Sequence, residues 1–119
     1  MTIHYHLDER GFIEIRPVGR NNLQAYITLF TGIAASEDMR NVRRYLFDAR
    51  EIVVSLTSTD IARLSDNMSR QNKVLKTAVV AEQGIHFGLT RMYQSISRAR
   101  ELEIFDSYDD AVTWLLETP

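Results

Sequence analysis

The chain has 119 residues, of which 45% are hydrophobic and 25% charged, and these values are ordinary for one globular domain. The formal net charge of −2 argues against a protein built mainly to hold nucleic acid, because phosphate binding needs a strong positive field. The absence of cysteine excludes disulfides, thiol nucleophiles and cysteine-ligated zinc, and it fits a reducing compartment. We predict a single soluble cytoplasmic domain over residues 1–119, with no signal peptide and no membrane-spanning segment.

The first predicted elements are two strands of a β-hairpin. Residues 2–7 alternate, so that Ile3, Tyr5 and Leu7 share one face and His4 and His6 share the other. A polar turn over 8–11 ends in glycine, and alternation resumes over 12–16.

A helix is predicted next, after Pro17-Val18-Gly19, where the apolar period changes to three and four residues. Either Asn21 or Asn22 can cap this helix, because an Asn side chain accepts a hydrogen bond from a free backbone N–H. The predicted inward stripe consists of Leu23, Tyr26, Ile27, Phe30 and Ile33.

Three short apolar runs predict the interior strands of a sheet, at 45–48, 75–81 and 102–105. The run at 52–54 suits either a strand or a buried loop. Because helical patterns alternate with the strands, we predict an α/β fold with a mixed, mainly parallel five-stranded sheet and the order β-β-α-β-α-β-α-β-α.

Three more helices complete this prediction. Thr57-x-x-Asp60 approximates a capping box before a helix whose inward side carries Ile61, Leu64 and Met68. Residues 84–100 form the next helix, and Ser107 with two following acids begins the last one. The last helix is predicted to face inward through Ala111, Val112, Leu115 and Leu116, with Trp114 on its flank.

The pattern resembles the SpoIIAA-like (STAS/Sec14-type) family of small bacterial domains over nearly the whole chain. The resemblance is clearest at 76–81, 87–93, 103–105 and 110–116, which follow the family's apolar strand, glycine-containing helix start, strand and Ala-x-x-Trp-Leu helix. Tyr45-Leu-Phe-Asp48 is similar to the family's third strand, which commonly ends in Asp. The resemblance implies a SpoIIAA-like fold and a regulatory, protein-interaction role.

The family also implies two kinds of site. Its anti-sigma-factor antagonists are switched by phosphorylation in an Asp-Ser-Ser-Gly motif, and the corresponding region here is Leu56-Thr57-Ser58-Thr59, which keeps the hydroxyls but lacks the flanking Asp and Gly. The Sec14-type comparison implies an apolar ligand pocket instead. From the residues themselves, Thr57, Ser58 and Thr59 suit helix capping as well as phosphorylation, since both exploit the free N–H groups of a helix start.

Other chemistry is weighed from the residue types. His4 and His6 have a spacing that metal sites use, but no third ligand is evident, so we expect ordinary polar sheet residues and no metal site. No nucleophile elbow, Walker A or dinucleotide-binding motif occurs, so we predict a non-enzyme without a cofactor. Gly84-x-x-x-Gly88 suits a tight turn into a helix.

Charge is unevenly distributed along the second half. The segment 63–100 holds two acids and seven bases, whereas 101–119 holds six acids and no base. The seven bases are Arg63, Arg70, Lys73, Lys76, Arg91, Arg98 and Arg100. Arg91 and Arg98 share a helical face that suits either an acidic partner or solvation. The predicted interaction or phospho-switch surface, at the carboxyl ends of parallel strands, comprises Thr57, Ser58, Thr59, Asp60, Gly84, Gly88 and Arg91.

For partners, we predict an unidentified protein and no nucleic acid. The alternative is a small apolar or phosphorylated ligand such as a lipid or nucleotide. A homodimer through an exposed sheet edge or through 52–56 is left open.

Overall fold

Six strands and two helices have defined bounds in the computed structural model, which describes residues 1–53, 57, 59–60, 62–64, 66, 76–82 and 101–117. The strands are β1 (Thr2–Leu7), β2 (Ile13–Arg20), β3 (Arg44–Asp48), β4 (Ile52–Val53), β5 (Lys76–Val80) and β6 (Glu101–Phe105). The helices are α1 (Leu23–Ala35) and α2 (Tyr108–Leu116). Thr59, Asp60, 62–64 and Asp66 are also helical.

The sheet follows the order β1-β2-β3-β5-β6. Strand β1 is antiparallel to β2, whereas β2, β3, β5 and β6 are mutually parallel along the sheet. The prediction that the segments at 45–48, 75–81 and 102–105 lie side by side and run the same way is therefore confirmed.

Strand β2 is longer than predicted, because it continues through Pro17 and Gly19 to Arg20. Its parallel pairing with β3 covers only residues 13–15, and its pairing with β4 begins at Gly19. Pro17 lies between these two pairings, where its missing N–H removes no bond to a parallel neighbour. Strand β4 is a sixth strand, in addition to the five predicted. It shows that the first two residues of the run at 52–54 form a strand and not a buried loop.

Two apolar cores lie on opposite faces of the sheet, because alternate residues of β3 and β5 belong to different cores. Phe47 and Val79 contribute to the first core, which α1 and Leu64 cover. Leu46, Ala78 and Val80 contribute to the second core, which α2 covers. Every residue of β5 is buried, as predicted for a strand that is covered on both faces.

The N-terminal ends of α1 and α2 are capped by side chains, as their sequences indicate. Asn22, rather than Asn21, caps α1 by accepting from the Ala25 N–H at 3.1 Å. Asn21 is buried instead and accepts from the Tyr26 hydroxyl at 2.6 Å. Ser107 caps α2 by accepting from the Asp110 N–H at 3.2 Å.

Some predicted core positions are wrong. Leu116 is 37% exposed, because the buried side of α2 is formed by Ala111, Val112 and Leu115. Helix α1 buries Leu29, which the predicted stripe omitted, while Leu23 and Ile27 are only partly buried. The predicted helix at 84–100 lies outside the described residues. Within the described ranges, no helix combines the length and apolar character that crossing a bilayer requires.

Candidate functional site

The carboxyl ends of three parallel strands form one edge of the molecule. The last residues of β3 and β5, Asp48 and Val80, are in register, and Val80 is in register with Phe105 at the end of β6. Pairing extends one residue further, since the Ala49 N–H donates to the Val80 carbonyl at 2.8 Å. The segments that leave these strands therefore start together, as they do where ligands bind open α/β sheets.

Thr57 and Asp60 cap the helix that follows this edge. The Asp60 N–H donates to Thr57 Oγ1 at 3.1 Å, and the Thr57 N–H donates to Asp60 Oδ2 at 3.3 Å. This reciprocal pair is the predicted capping box, and it satisfies two backbone donors at the helix start. Thr57 and Thr59 are both exposed. Of the predicted surface, Ser58, Gly84, Gly88 and Arg91 lie outside the described residues.

A buried carboxylate marks the end of β3. Asp48 is only 5% exposed, and Arg50 donates to both of its oxygens, from Nε at 2.8 Å and from Nη2 at 2.7 Å. Burial acts to raise the pKa of Asp48, but the hydrogen bonds from the Arg50 side chain and backbone outweigh it, and the net pKa is lowered. Asp48 is therefore a fixed anion that orients the loop after β3.

Neighbouring strands extend this pair into an ionic cluster of Glu14, Arg16, Asp48, Arg50 and Glu51. Arg16 Nη1 donates to Glu51 Oε2 at 2.8 Å, and the charge of Arg16 contributes to the lowered pKa of Asp48. The guanidinium side chains remain 40% and 46% exposed, whereas Asp48 is almost fully covered. The cluster thus presents held guanidinium groups to solvent, and such groups bind carboxylates and phosphates.

Sequence reasoning missed this cluster as a site. The signal was Asp48-x-Arg50 directly after a buried apolar run, where a carboxylate needs a partner. Arg16 and Glu51 are far apart in sequence, so only the pairing of β2 with its neighbours brings them together.

The partly buried hydroxyl of Tyr108 in α2 contacts the same face of the hairpin. The Tyr108 hydroxyl donates to Glu14 Oε1, and Arg10 donates to the Tyr108 oxygen at 3.4 Å. Burial and the neighbouring Glu14 raise the pKa of Tyr108, so its hydroxyl keeps its proton and continues to donate.

Lys76 is one of the seven bases of the 63–100 segment, but it does not lie on the surface. It is 3% exposed, and its Nζ donates to the carbonyl of Trp114 at 2.5 Å and to that of Glu117 at 3.3 Å. The ammonium also lies 4.3 Å from the centre of the Trp114 ring. Lys76 therefore binds the carboxyl end of α2, where the helix dipole favours a cation.

All six acids of the 101–119 segment are exposed. They are Glu101, Glu103, Asp106, Asp109, Asp110 and Glu117. The uneven charge of this segment therefore lies on the surface of the protein.

A groove of about 390 Å³ lies between β1 and α1. Its strand side is formed by Met1, Ile3 and Tyr5, and its helix side by residues that include Gln24, Thr28 and Leu29. The groove is open to solvent. Its volume is within the range of small-molecule sites.

His4 and His6 are exposed on the opposite face of β1 from this groove. His6 Nε2 lies 4.0 Å from Asp8 Oδ2. In the part of the chain that the structure describes, no three side chains of the His, Asp or Glu type form a metal-ligand group.

A mixed sheet of this order, with helices on both faces, defines the SpoIIAA-like α/β class that the sequence pattern resembled. Two solved structures have this architecture across nearly the whole chain. One is an uncharacterized protein from the DUF3478 family with a SpoIIAA-like fold from Shewanella loihica PV-4; its TM-score is 0.64 at 18% identity, over 96% of this chain and 92% of that one. The other is an anti-sigma factor antagonist from Mycobacterium paratuberculosis; its TM-score is 0.62 at 17% identity, over 98% and 94%.

No family model and no curated protein sequence matches this chain. The identities to the two structures are low, so the comparisons show the fold.

Proposed function

We propose that this protein is a non-catalytic, cytoplasmic regulatory module that binds a protein partner. The observation that carries the proposal is the fold shared over 98% of the chain with an anti-sigma factor antagonist. Function does not follow from fold alone. The geometry at the carboxyl edge of the sheet supplies the second support.

The proposed binding surface is the capping segment 57–60 together with the exposed guanidinium groups of Arg16 and Arg50. The capping segment and Arg50 follow the carboxyl ends of strands, where open α/β sheets bind their ligands, and Arg16 of β2 is joined to Glu51 in the loop after β3. The capping box fixes the backbone of the segment while Thr57 and Thr59 remain exposed. A rigid backbone lowers the entropy cost of binding a partner there.

Phosphorylation of a hydroxyl in this segment would regulate that binding. A phosphate on Thr59 would lie in the first helical turn, where the dipole and free N–H groups favour negative charge. Ser58, which precedes it in sequence, is the other candidate hydroxyl. The modification would change the surface that the partner contacts without unfolding the helix. Capping by Thr57 is compatible with this role, because the cap uses one hydroxyl of three.

The test is affinity capture from cells of the source organism, with quantification of each captured protein. Ser58→Glu and Thr59→Glu add negative charge in the segment, and Thr113→Glu adds it at an exposed position of α2 as the matched control. We expect a partner that binds the wild type and Thr113→Glu and loses about tenfold in affinity, or ~1.4 kcal/mol, with both segment variants. An identical partner set for all four proteins, each checked for native circular dichroism, would contradict the proposal.

Intact-mass measurement of the native protein tests the switch separately. We expect a phosphorylated fraction that maps to 57–59 under at least one growth condition. If the protein stays unmodified under all conditions, the proposed phosphorylation switch is wrong, and the proposed binding function is unaffected.

The groove between β1 and α1 favours a second candidate function, the binding of a small apolar ligand. Its apolar side chains and size suit a lipid chain or a metabolite of similar bulk. Native mass spectrometry of freshly purified protein should then show a bound small molecule. Thr28→Trp, which fills the groove from α1, should abolish that adduct, while Thr113→Trp should leave it. Bare protein in every preparation would rule this candidate out.

A further inference from the structure

Strand β1 forms an edge of the sheet that carries no charged residue. Its sequence, Thr2-Ile-His-Tyr-His-Leu7, contains no Lys, Arg, Asp, Glu or Pro, which are the residues that usually protect an edge from pairing. The other edge, β6, carries exposed Glu101 and Glu103. Among the described strands, β1 pairs only with β2, so its outer N–H and C=O groups are free for a further strand.

Exposed apolar side chains concentrate on the same edge. Of the five large apolar side chains that are exposed in the described part of the chain, three belong to the first seven residues: Met1 at 37%, Tyr5 at 41% and Leu7 at 39%. Tyr5 and Met1 also line the groove beside α1. Free backbone groups and exposed apolar surface therefore coincide at one edge.

We propose that β1 pairs with β1 of a second copy of this chain, forming one continuous sheet across a twofold axis. If the two β1 strands are antiparallel, the twofold axis is normal to the sheet, and the α1 helices of both copies lie on the same face of the joined sheet. The apolar residues Ile3, Tyr5 and Leu7 of the two copies then meet on that side. A parallel pair would turn one copy over and set apolar residues against His4 and His6.

Side-chain alternation restricts the register of this pairing. Paired residues must share a face, so two registers match five residues of β1. In the first, His4 faces His4 of the second copy and Ile3 faces its Tyr5. In the second, Tyr5 faces Tyr5 and His4 faces His6. Each register therefore sets imidazoles directly opposite each other on the outer face.

The absence of native cysteine permits a direct test by crosslinking. A single introduced cysteine can form a disulfide only with its counterpart in another copy. We expect His4→Cys to crosslink under mild oxidation in the first register and Tyr5→Cys in the second, because residues opposite each other approach disulfide distance. Leu116→Cys is the matched control, because Leu116 is 37% exposed, close to the 41% of Tyr5, but lies in α2. Equal crosslinking of all three variants, or none in either β1 variant, would overturn the proposal.

The mass in solution supplies the second test. Light scattering at pH 8 should give the mass of two chains for the wild type and for Leu116→Lys, and of one chain for Tyr5→Lys, which places a charge on the edge. A monomeric wild type at pH 8, or a dimer that persists in folded Tyr5→Lys, would refute the assignment. A groove ligand that keeps the protein monomeric would equally refute it.

Discussion

Replacing Lys76 with methionine should lower the free energy of unfolding by about 2 kcal/mol. The ammonium group lies almost fully buried beneath α2, between the Trp114 ring and the carbonyls at the end of the helix. Methionine keeps most of the length and apolar contact of the stem, so the substitution removes mainly the charge and its hydrogen bonds.

The magnitude follows from three terms. Losing the charged hydrogen bond from Lys76 to the Trp114 carbonyl costs about 2 kcal/mol, although that carbonyl still accepts from the Glu117 N–H at 3.2 Å. The Glu117 carbonyl lies on an exposed residue and can bind water. Loss of the cation–π contact costs about 1 kcal/mol. Removing a desolvated ammonium returns about 1 kcal/mol, and the net loss corresponds to a decrease in Tm of about 8 °C for a chain of this size.

Urea denaturation followed by tryptophan fluorescence is the appropriate assay, because Trp114 is the sole tryptophan of the chain and contacts Lys76 directly. Arg63→Met is the control, since Arg63 is exposed and its loss should change stability by less than about 0.5 kcal/mol. A Lys76→Met protein as stable as the wild type would show that the buried cation does not hold α2 on the sheet.

Three further predictions concern the cap, the buried acid and a turn. Thr57→Val should cost about 1 kcal/mol of unfolding free energy in the same urea assay, whereas exposed Thr59→Val should cost much less. Because the pKa of Asp48 lies below its ordinary value of 3.8, its stabilisation is present above that value and is lost as the pH falls through the lowered pKa. Acid titration should therefore show a loss of stability below about pH 4 that Asp48→Asn greatly reduces; an unchanged slope would contradict the pairing with Arg50. Gly11→Ala should destabilise the hairpin by about 1 kcal/mol because φ is +98°, a conformation that L residues disfavour. No atom lies within 4 Å of the new Cβ, so the cost comes from the backbone and not from a clash. Gly32→Ala in α1 should be neutral or stabilising in thermal melts.

Much of the fold was predictable because its strands are short apolar runs separated by clear changes of period. The buried strands β3 and β5 each contain three consecutive apolar residues, 45–47 and 78–80, and the hairpin is marked by alternation around Gly11. Capping side chains identified the starts of both bounded helices to within one residue. Pro17 misled the prediction of β2, since a proline usually ends a strand and only the gap between its parallel partners permits it here.

The candidate site was only partly predictable. The Thr57 and Asp60 cap is local in sequence, and it was recognised from residue spacing alone. The ionic cluster joins Arg16 of β2 to Asp48 and Glu51 at the end of β3, so it depends on strand order, which local patterns do not encode. For Lys76 the local pattern was misleading, because its charge suggested a solvated surface position. It lies at the start of a fully buried strand, and its ammonium group binds the carboxyl end of α2.

The mixture of antiparallel and parallel pairing has a consequence for how the chain folds. Strands β1 and β2 are joined by a short turn, so the hairpin needs only a small loop closure and can form in microseconds. Each parallel pair closes a much longer loop, and β5 gains its second neighbour only once β6 has left the ribosome. The uncharged edge of β1 is therefore available to neighbouring nascent chains before the rest of the sheet exists, and association between copies can begin during translation.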